Sequence, residues 1–262
     1  MIRSTNELKG YTIEATDGDI GEVVQFYFDD EKWTIRYLVA DTGGWLMGRT
    51  VLISPAALGR VDWNSRRLHV NMTKERVENS PSIDTDRPVS RQHETDYYNY
   101  YGYPYYWGGP YVWGPVPYPA YSPVAPAGTA SPAEEASTVE REVAQARRQD
   151  EDVHLRSTQE VTNYYIEASD GDIGHVEDFL IDDESWTIRY AVVDTRNWWP
   201  GKKVLVSPDW IRSVSWTDSR VYVELTRDKI KNAPEYDPSL PLSRDYETRL
   251  HKHYGRSEYW NA

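Results

Sequence analysis

Apolar and polar residues alternate with a period of two from Trp33 to Asp41. Trp33, Ile35, Tyr37 and Val39 fall on one side, and Thr34, Arg36, Leu38 and Ala40 on the other. This is the pattern of a strand with one face in a core, and it places Arg36 on the solvent face. Upstream, residues 11–15 and 20–28 flank Asp17-Gly18, a pair that tolerates the positive φ of a type I′ hairpin turn. Asp29-Asp30-Glu31 forms the next turn. Runs at 49–53, 58–63 and 67–71 bring the count to about six strands separated by turns, which suits a small antiparallel barrel. Thr73 then predicts the N-cap of a short helix through Asn79, stopped by Pro81.

The whole pattern recurs without a gap: Ser4-Thr5 returns as Ser157-Thr158, Asp17-Gly18-Asp19-Ile20-Gly21 as Asp170-Gly171-Asp172-Ile173-Gly174, and Trp33-Thr34-Ile35-Arg36-Tyr37 as Trp186-Thr187-Ile188-Arg189-Tyr190. Thr226, Asn232 and Pro234 repeat the helix device. Roughly half of the positions agree between the copies, so the chain carries two versions of one domain, each large enough for its own core. The repeats are placed at 4–95 and 157–247 and a tail at 248–262. Between the repeats, 96–156 reads as a Tyr/Pro/Gly-rich linker. It has no charged residue from Tyr97 to Ala133 and holds ten of the 21 tyrosines. Pro and Gly at that density break helices and strands, so this tract is expected as a disordered tether, with a short helix near 134–152.

Composition narrows the function. The net charge of -13 opposes phosphate binding by the whole molecule, so nucleic acid is disfavoured. The first repeat carries 11 basic and 15 acidic residues, and the second 10 and 18. With no cysteine there is neither a disulfide nor a thiol nucleophile. No run has the length of a membrane span, and the chain reads as cytoplasmic, with peripheral association to the inner membrane left open.

The run Ile13-Glu14-Ala15-Thr16-Asp17-Gly18-Asp19-Ile20-Gly21-Glu22-Val23, followed by Trp33-Thr34-Ile35-Arg36-Tyr37-Leu38-Val39-Ala40-Asp41-Thr42, resembles the PRC-barrel domain. Val51-Leu52-Ile53-Ser54-Pro55, Val61-Asp62-Trp63 and residues 73–81 extend the likeness, as do their second copies. That family is named for the cytoplasmic domain of the photosynthetic reaction centre H subunit, and a related barrel forms part of a ribosome maturation factor. In both settings the barrel docks proteins. The resemblance implies an all-β chain of two small antiparallel PRC-type β-barrels, each followed by a short helix, joined by a disordered linker and acting as a non-enzymatic adaptor for a protein partner. A membrane-bound complex of the reaction-centre type is one such partner, and the two barrels are expected to pack as a pseudo-dimer. An RNA-linked role in ribosome maturation is the second reading, and a hydrolase or weak cation module using turn carboxylates the third.

Candidate chemistry is thin. Asp17, Asp19, Asp29, Asp30 and Glu31 sit where turns favour Asp and lack EF-hand spacing, so no metal or cofactor is assigned. An Arg36 to Asp41 pair, with Arg189 and Asp194 in the second copy, reads as ordinary solvent-face charge. The histidines show no shared base, and His251-Lys252-His253 is at most a weak chelator. Five tryptophans remain as candidate docking anchors: Trp45, Trp198 and Trp199 on turns between strands, and Trp107 and Trp113 in the aromatic tract.

Overall fold

The computed structural model describes residues 1–81, 89–119, 154–195 and 201–261. In chain order the elements are β1 (Ile2–Ser4), α1 (Thr5–Leu8), β2 (Thr12–Ala15), β3 (Gly18–Asp29), β4 (Thr34–Asp41), β5 (Thr50–Ile53), β6 (Leu58–Asp62), β7 (Arg67–Val70), α2 (Lys74–Glu78) and α3 (Arg91–Tyr101). They continue with β8 (Leu155–Ser157), α4 (Thr158–Val161), β9 (Tyr165–Ala168), β10 (Gly171–Asp182), β11 (Ile188–Asp194), β12 (Lys203–Val206), β13 (Ile211–Ser215), β14 (Arg220–Val223), α5 (Arg227–Lys231) and α6 (Arg244–Tyr254). The chain divides into a first-repeat unit, Leu8–Ser157 with Glu184–Trp186, and a second-repeat unit, Met1–Glu7 with Thr158–Asp183 and Thr187–Ala262.

Each unit is built on one sheet of seven strands. The first has the order β5-β4-β3-β2-β7-β6 with β8 on β3, and the second the order β12-β11-β10-β9-β14-β13 with β1 on β10. The six strands expected in each repeat are present within a residue or two. The hairpin pairs Ala15 with Gly18 around the Asp17-Gly18 turn, as the turn chemistry requires. Two features differ from expectation. The sheets are not purely antiparallel, because β2 pairs with β7 and β9 with β14 in parallel. The long stretch of chain between the members of each pair permits this, since a parallel join needs a crossover rather than a tight turn. The seventh strand in each sheet is a three-residue segment from outside its own repeat. Ile2–Ser4 pairs with Leu180–Asp182, and Leu155–Ser157 with Tyr27–Asp29.

Side chains secure these short strands. The Asp178 carboxylate accepts from Ser4 Oγ at 2.5 Å, Thr5 Oγ1 at 2.7 Å and the Asn6 amide at 3.1 Å. The Gln25 carbonyl oxygen, at the matching position, accepts from Ser157 Oγ at 2.5 Å. Burial pushes the Asp178 carboxyl above the usual carboxylate range, against these hydrogen bonds. Behind them lie the cores, with Ile13, Ile20, Phe26, Phe28 and Ile35 buried in one unit and Ile166, Ile173, Phe179, Ile181 and Val221 in the other. Burial of each such side chain contributes about 1.5–3 kcal/mol. Gly21 and Gly174 allow the closest approach, since a Cβ on either would stand 2.0 Å from the carbonyl oxygen of Asp41 or Asp194.

The turn carboxylates serve structure. Asp17 Oδ1 accepts from the Lys74 amide at 2.8 Å and Asp170 Oδ1 from the Arg227 amide at 2.7 Å, so each hairpin turn caps the helix that follows β7 or β14. Thr73 and Thr226 supply the expected N-caps. The repeat runs further than the alternation suggests. Helix α3 begins at the Ser90 cap and ends at Gly102, and α6 begins at Ser243 and ends at Gly255, both glycines left-handed. The start of the expected linker, and the expected tail from 248, are therefore folded. Tyr97, Tyr98, Tyr101, Tyr103 and Tyr106 are buried, which corrects their placement in a tether. The helix expected near 134–152 lies outside the described residues.

Candidate functional site

The centre of each unit is an arginine at a β-bulge. Along β3 and β4, Tyr27 faces Tyr37 and Phe28 faces Ile35, which leaves Arg36 as the extra residue. In the second unit Leu180 faces Tyr190 and Ile181 faces Ile188, leaving Arg189. A bulge breaks the period of two and re-aims the side chain. Arg36 is consequently not on a solvent face: its side chain is 0% exposed and β4 is buried on both faces as far as Ala40. Its partner is not Asp41 but Asp29, with Nη2 donating to Oδ2 at 2.9 Å. Asp41 instead accepts from the Gly43 amide. Burial pushes the Asp29 carboxyl up. The Arg36 guanidinium and the Lys32 and Glu31 amides outweigh it and hold the group below the usual range.

Beside each bulge, the N-terminal part of the repeated helix delivers a glutamate. Glu94 is wholly buried and accepts from Tyr37 Oη at 3.2 Å, Tyr106 Oη at 2.7 Å and Arg91 Nη1 at 3.1 Å. His154 Nε2 lies 2.8 Å from Oε2, the oxygen that Arg91 also reaches. Burial, then the Glu94 charge, pushes the Tyr37 and Tyr106 phenols well up, so both stay protonated and donate. The second unit repeats the design: Glu247 accepts from Tyr190 Oη at 3.0 Å, Tyr259 Oη at 2.9 Å and Arg244 Nη1 at 3.1 Å. His251 takes the histidine role from α6, with Nε2 2.9 Å from Tyr190 Oη. Carboxylates held by these phenols and arginines fasten the helix to the sheet.

The units differ in what lies over the arginine. In the first, Arg36 Nη1 donates to the Val112 carbonyl at 2.6 Å, with the Tyr106 ring centroid 3.7 Å and the Trp113 centroid 4.8 Å from the guanidinium carbon. The turn that carries them is closed by bridges from Tyr111 to Gly114 and from Trp113 to Val116. Trp113 Nε1 donates to the Ser185 carbonyl at 2.7 Å. In the second unit Arg189 is half-buried, with the Tyr259 ring at 4.2 Å. A cleft of about 660 Å³ in this unit is lined by Arg3, Leu180, Asp182, Leu240, Arg244 and Glu247 among others.

The tryptophans expected as docking anchors divide accordingly. Trp113 is buried at 4% exposure and has no surface left for an external partner. Trp107 is half-buried, stacked on Tyr105 at 4.6 Å with the Arg91 guanidinium 4.5 Å from its ring. Trp45 is also half-buried: its indole N–H donates to the Ile20 carbonyl at 2.5 Å, and Lys74 Nζ sits 4.4 Å from the ring. Trp198 and Trp199 lie outside the described residues. The site itself was missed by alternation, although its signal is in the sequence. Ser90-Arg91, Glu94, Tyr106-Trp107 and Ser243-Arg244, Glu247, Tyr259-Trp260 keep the spacing of the repeat.

A short-stranded β-unit repeated in tandem, with a bulged arginine and a helix clamped over it, defines the chain as a double β-domain module. The pattern of the PRC-barrel domain matches residues 2–77 and 166–230, more than half of the chain, and the protein belongs to that family. A stretch of 65 residues is 42% identical to an uncharacterised protein of Deinococcus radiodurans, a match covering 24% of this chain and 23% of that one.

Proposed function

We propose that the chain is a non-catalytic adaptor whose two units each dock a protein partner. The observation that supports this is how the repeats have diverged. The residues that clamp the helix to the sheet are kept, as in Tyr37 and Tyr190, Glu94 and Glu247. Several outward positions change, so that Thr12 becomes Tyr165, which is 50% exposed, and Glu22 becomes His175. A fold retained under a changing surface fits two recognition faces better than one shared reaction centre. Among the described residues no helix is long and apolar enough to cross a membrane, so docking to a membrane-bound complex would be peripheral. The test is a crosslinking capture with the full chain from native cells at physiological salt, with and without nuclease. Recovery of the same protein in both arms, with crosslinks on outward residues, is expected. Recovery that nuclease abolishes would replace this reading with the RNA-linked one.

A further inference from the structure

The loop between β4 and β5 is apolar where a turn is ordinarily polar. Its tip reads Trp45-Leu46-Met47, and Met47 is 100% exposed. Gly48 N–H donates to the Gly43 carbonyl at 2.7 Å and Arg49 N–H to the Leu46 carbonyl at 3.0 Å, which closes the turn. Among the described residues, a Cβ added to Gly43, Gly44 or Gly48 would meet nothing within 4 Å, so the tip stands clear of the sheet that carries it. Met47 also sits in the left-handed region at φ 55°, where Gly and Asn are favoured, and it belongs to no core. The foot of the loop, by contrast, is fixed. Arg49 donates to the Glu78 and Ser80 carbonyls at 2.9 and 2.8 Å, and Trp45 donates its indole N–H to the Ile20 carbonyl with Lys74 Nζ 4.4 Å from the ring. An exposed apolar tip on a fixed foot meets its target with little ordering cost.

We propose that the β4–β5 loop of the first-repeat unit is a membrane-surface anchor. Leu46 and Met47 enter the acyl boundary of a bilayer, while Trp45 and Lys74 stay at the headgroup level, where an amphipathic ring and an ammonium are both accommodated. The sequence of the other copy favours lipid over a protein pocket. Trp45-Leu46-Met47-Gly48-Arg49 becomes Trp198-Trp199-Pro200-Gly201-Lys202, so a tryptophan, two residues without a polar side chain, a glycine and a base are kept while Leu-Met becomes Trp-Pro. A pocket fitted to one side-chain shape does not tolerate that exchange; a lipid phase asks only for apolarity. With a net charge of -13, and with Asp41 accepting from the Gly43 amide at the foot of the loop, a neutral surface suits the anchor better than an anionic one. The proposal goes beyond the adaptor reading, and lipid alone tests it.

The test uses the full chain and vesicles of phosphatidylcholine. Because the chain has no cysteine, Met47→Cys carries an environment-sensitive fluorophore at one place only. Glu31→Cys, on the exposed turn between β3 and β4 at the other end of β4, carries the same label as the control. A blue shift at residue 47 that saturates with lipid and is quenched by spin labels on the acyl chains is expected, with no shift at residue 31. In flotation of the unlabelled chain, Met47→Asp should lower vesicle binding about tenfold or more, since it replaces a buried apolar side chain by a charge. Met47 is fully exposed, so the variant keeps the urea midpoint of the wild type and its loss of binding is a loss of contact. No saturation at roughly millimolar lipid, an equal shift at residue 31, or equal flotation of Met47→Asp and wild type overturns the proposal. If vesicles fail while crosslinking still captures a partner, this anchor falls and the adaptor reading stands; a shift at residue 47 that the captured protein produces and vesicles do not assigns the loop to that partner instead.

Discussion

Replacing Arg36 by alanine tests the bulge directly. The substitution leaves Asp29, itself buried, without its counter-charge, and breaking one side of a buried pair costs about 3–5 kcal/mol. The Val112 carbonyl loses its donor, worth about 1–3 kcal/mol if it stays buried, and the ring contacts with Tyr106 and Trp113 go as well. These losses share one network and do not add, so a net cost of about 4 kcal/mol is expected. Arg189→Ala removes a half-buried side chain with a ring contact and no ion pair among the described residues, for roughly 1 kcal/mol. Native-state hydrogen exchange separates the two by reading opening free energies on β4 and on β11. The pH dependence gives a second reading. With its carboxyl held low in the folded state, Asp29 adds stability that is present at neutral pH. That contribution is lost as pH falls below about 4 toward the lowered folded value. In Arg36→Ala burial is opposed only by the Lys32 and Glu31 amides, so the carboxyl rises and the stability it adds at neutral pH shrinks. The gap between wild type and variant is therefore widest near neutrality and narrows in acid. A loss below about 1 kcal/mol in β4, equal losses at the two arginines, or a gap that widens in acid would refute the assignment.

Three further outcomes follow from other contacts. Gly21→Ala and Gly174→Ala each drive a Cβ into a backbone carbonyl and should cost about 2–3 kcal/mol or more in urea unfolding, in different units. Trp113→Ala empties a buried site and frees the Ser185 carbonyl, at about 3–5 kcal/mol, and should raise exchange in β4 before β5. Asp178→Ala removes the acceptor of Ser4, Thr5 and Asn6, and faster exchange confined to residues 2–6 and their β10 partners is expected, worth about 1–3 kcal/mol.

How far the sequence disclosed this arrangement depends on the range of each signal. Strand placement, the Asp17-Gly18 hairpin and the Thr73 cap are local, and local chemistry decides them. Arg36 was misplaced because a bulge shifts the period by one residue, and nothing in the identities of Ile35, Arg36 and Tyr37 announces it. The burial of Tyr97, Tyr98 and Tyr106 was missed for the opposite reason: their richness in Pro and Gly neighbours hid a helix whose caps, Ser90 and Gly102, are matched at Ser243 and Gly255. The matches past Thr95, Gly102 with Gly255 and Tyr106-Trp107 with Tyr259-Trp260, are the signal for the helix, while Glu94 and Glu247 stand at matching positions inside the repeats. The exchanged strands Ile2–Ser4 and Leu155–Ser157 are three residues each, too short for any periodicity, and only their shared Arg-Ser ending links them.

Those short strands bear on how the protein is made. The sheet of the first-repeat unit needs Leu155–Ser157, so its residues leave the ribosome well before their last strand exists. The wait is longer for Ile2, whose partner is Asp182. At about 5–20 residues per second, the edge of β3 at Tyr27–Asp29 stands unpaired for on the order of ten seconds, and β1 waits longer still. During that interval the nascent chain presents an open strand edge, the kind of surface on which chains from neighbouring ribosomes pair by mistake. The charges of Asp30, just past the end of β3, and of Arg156 on β8 are features that discourage it.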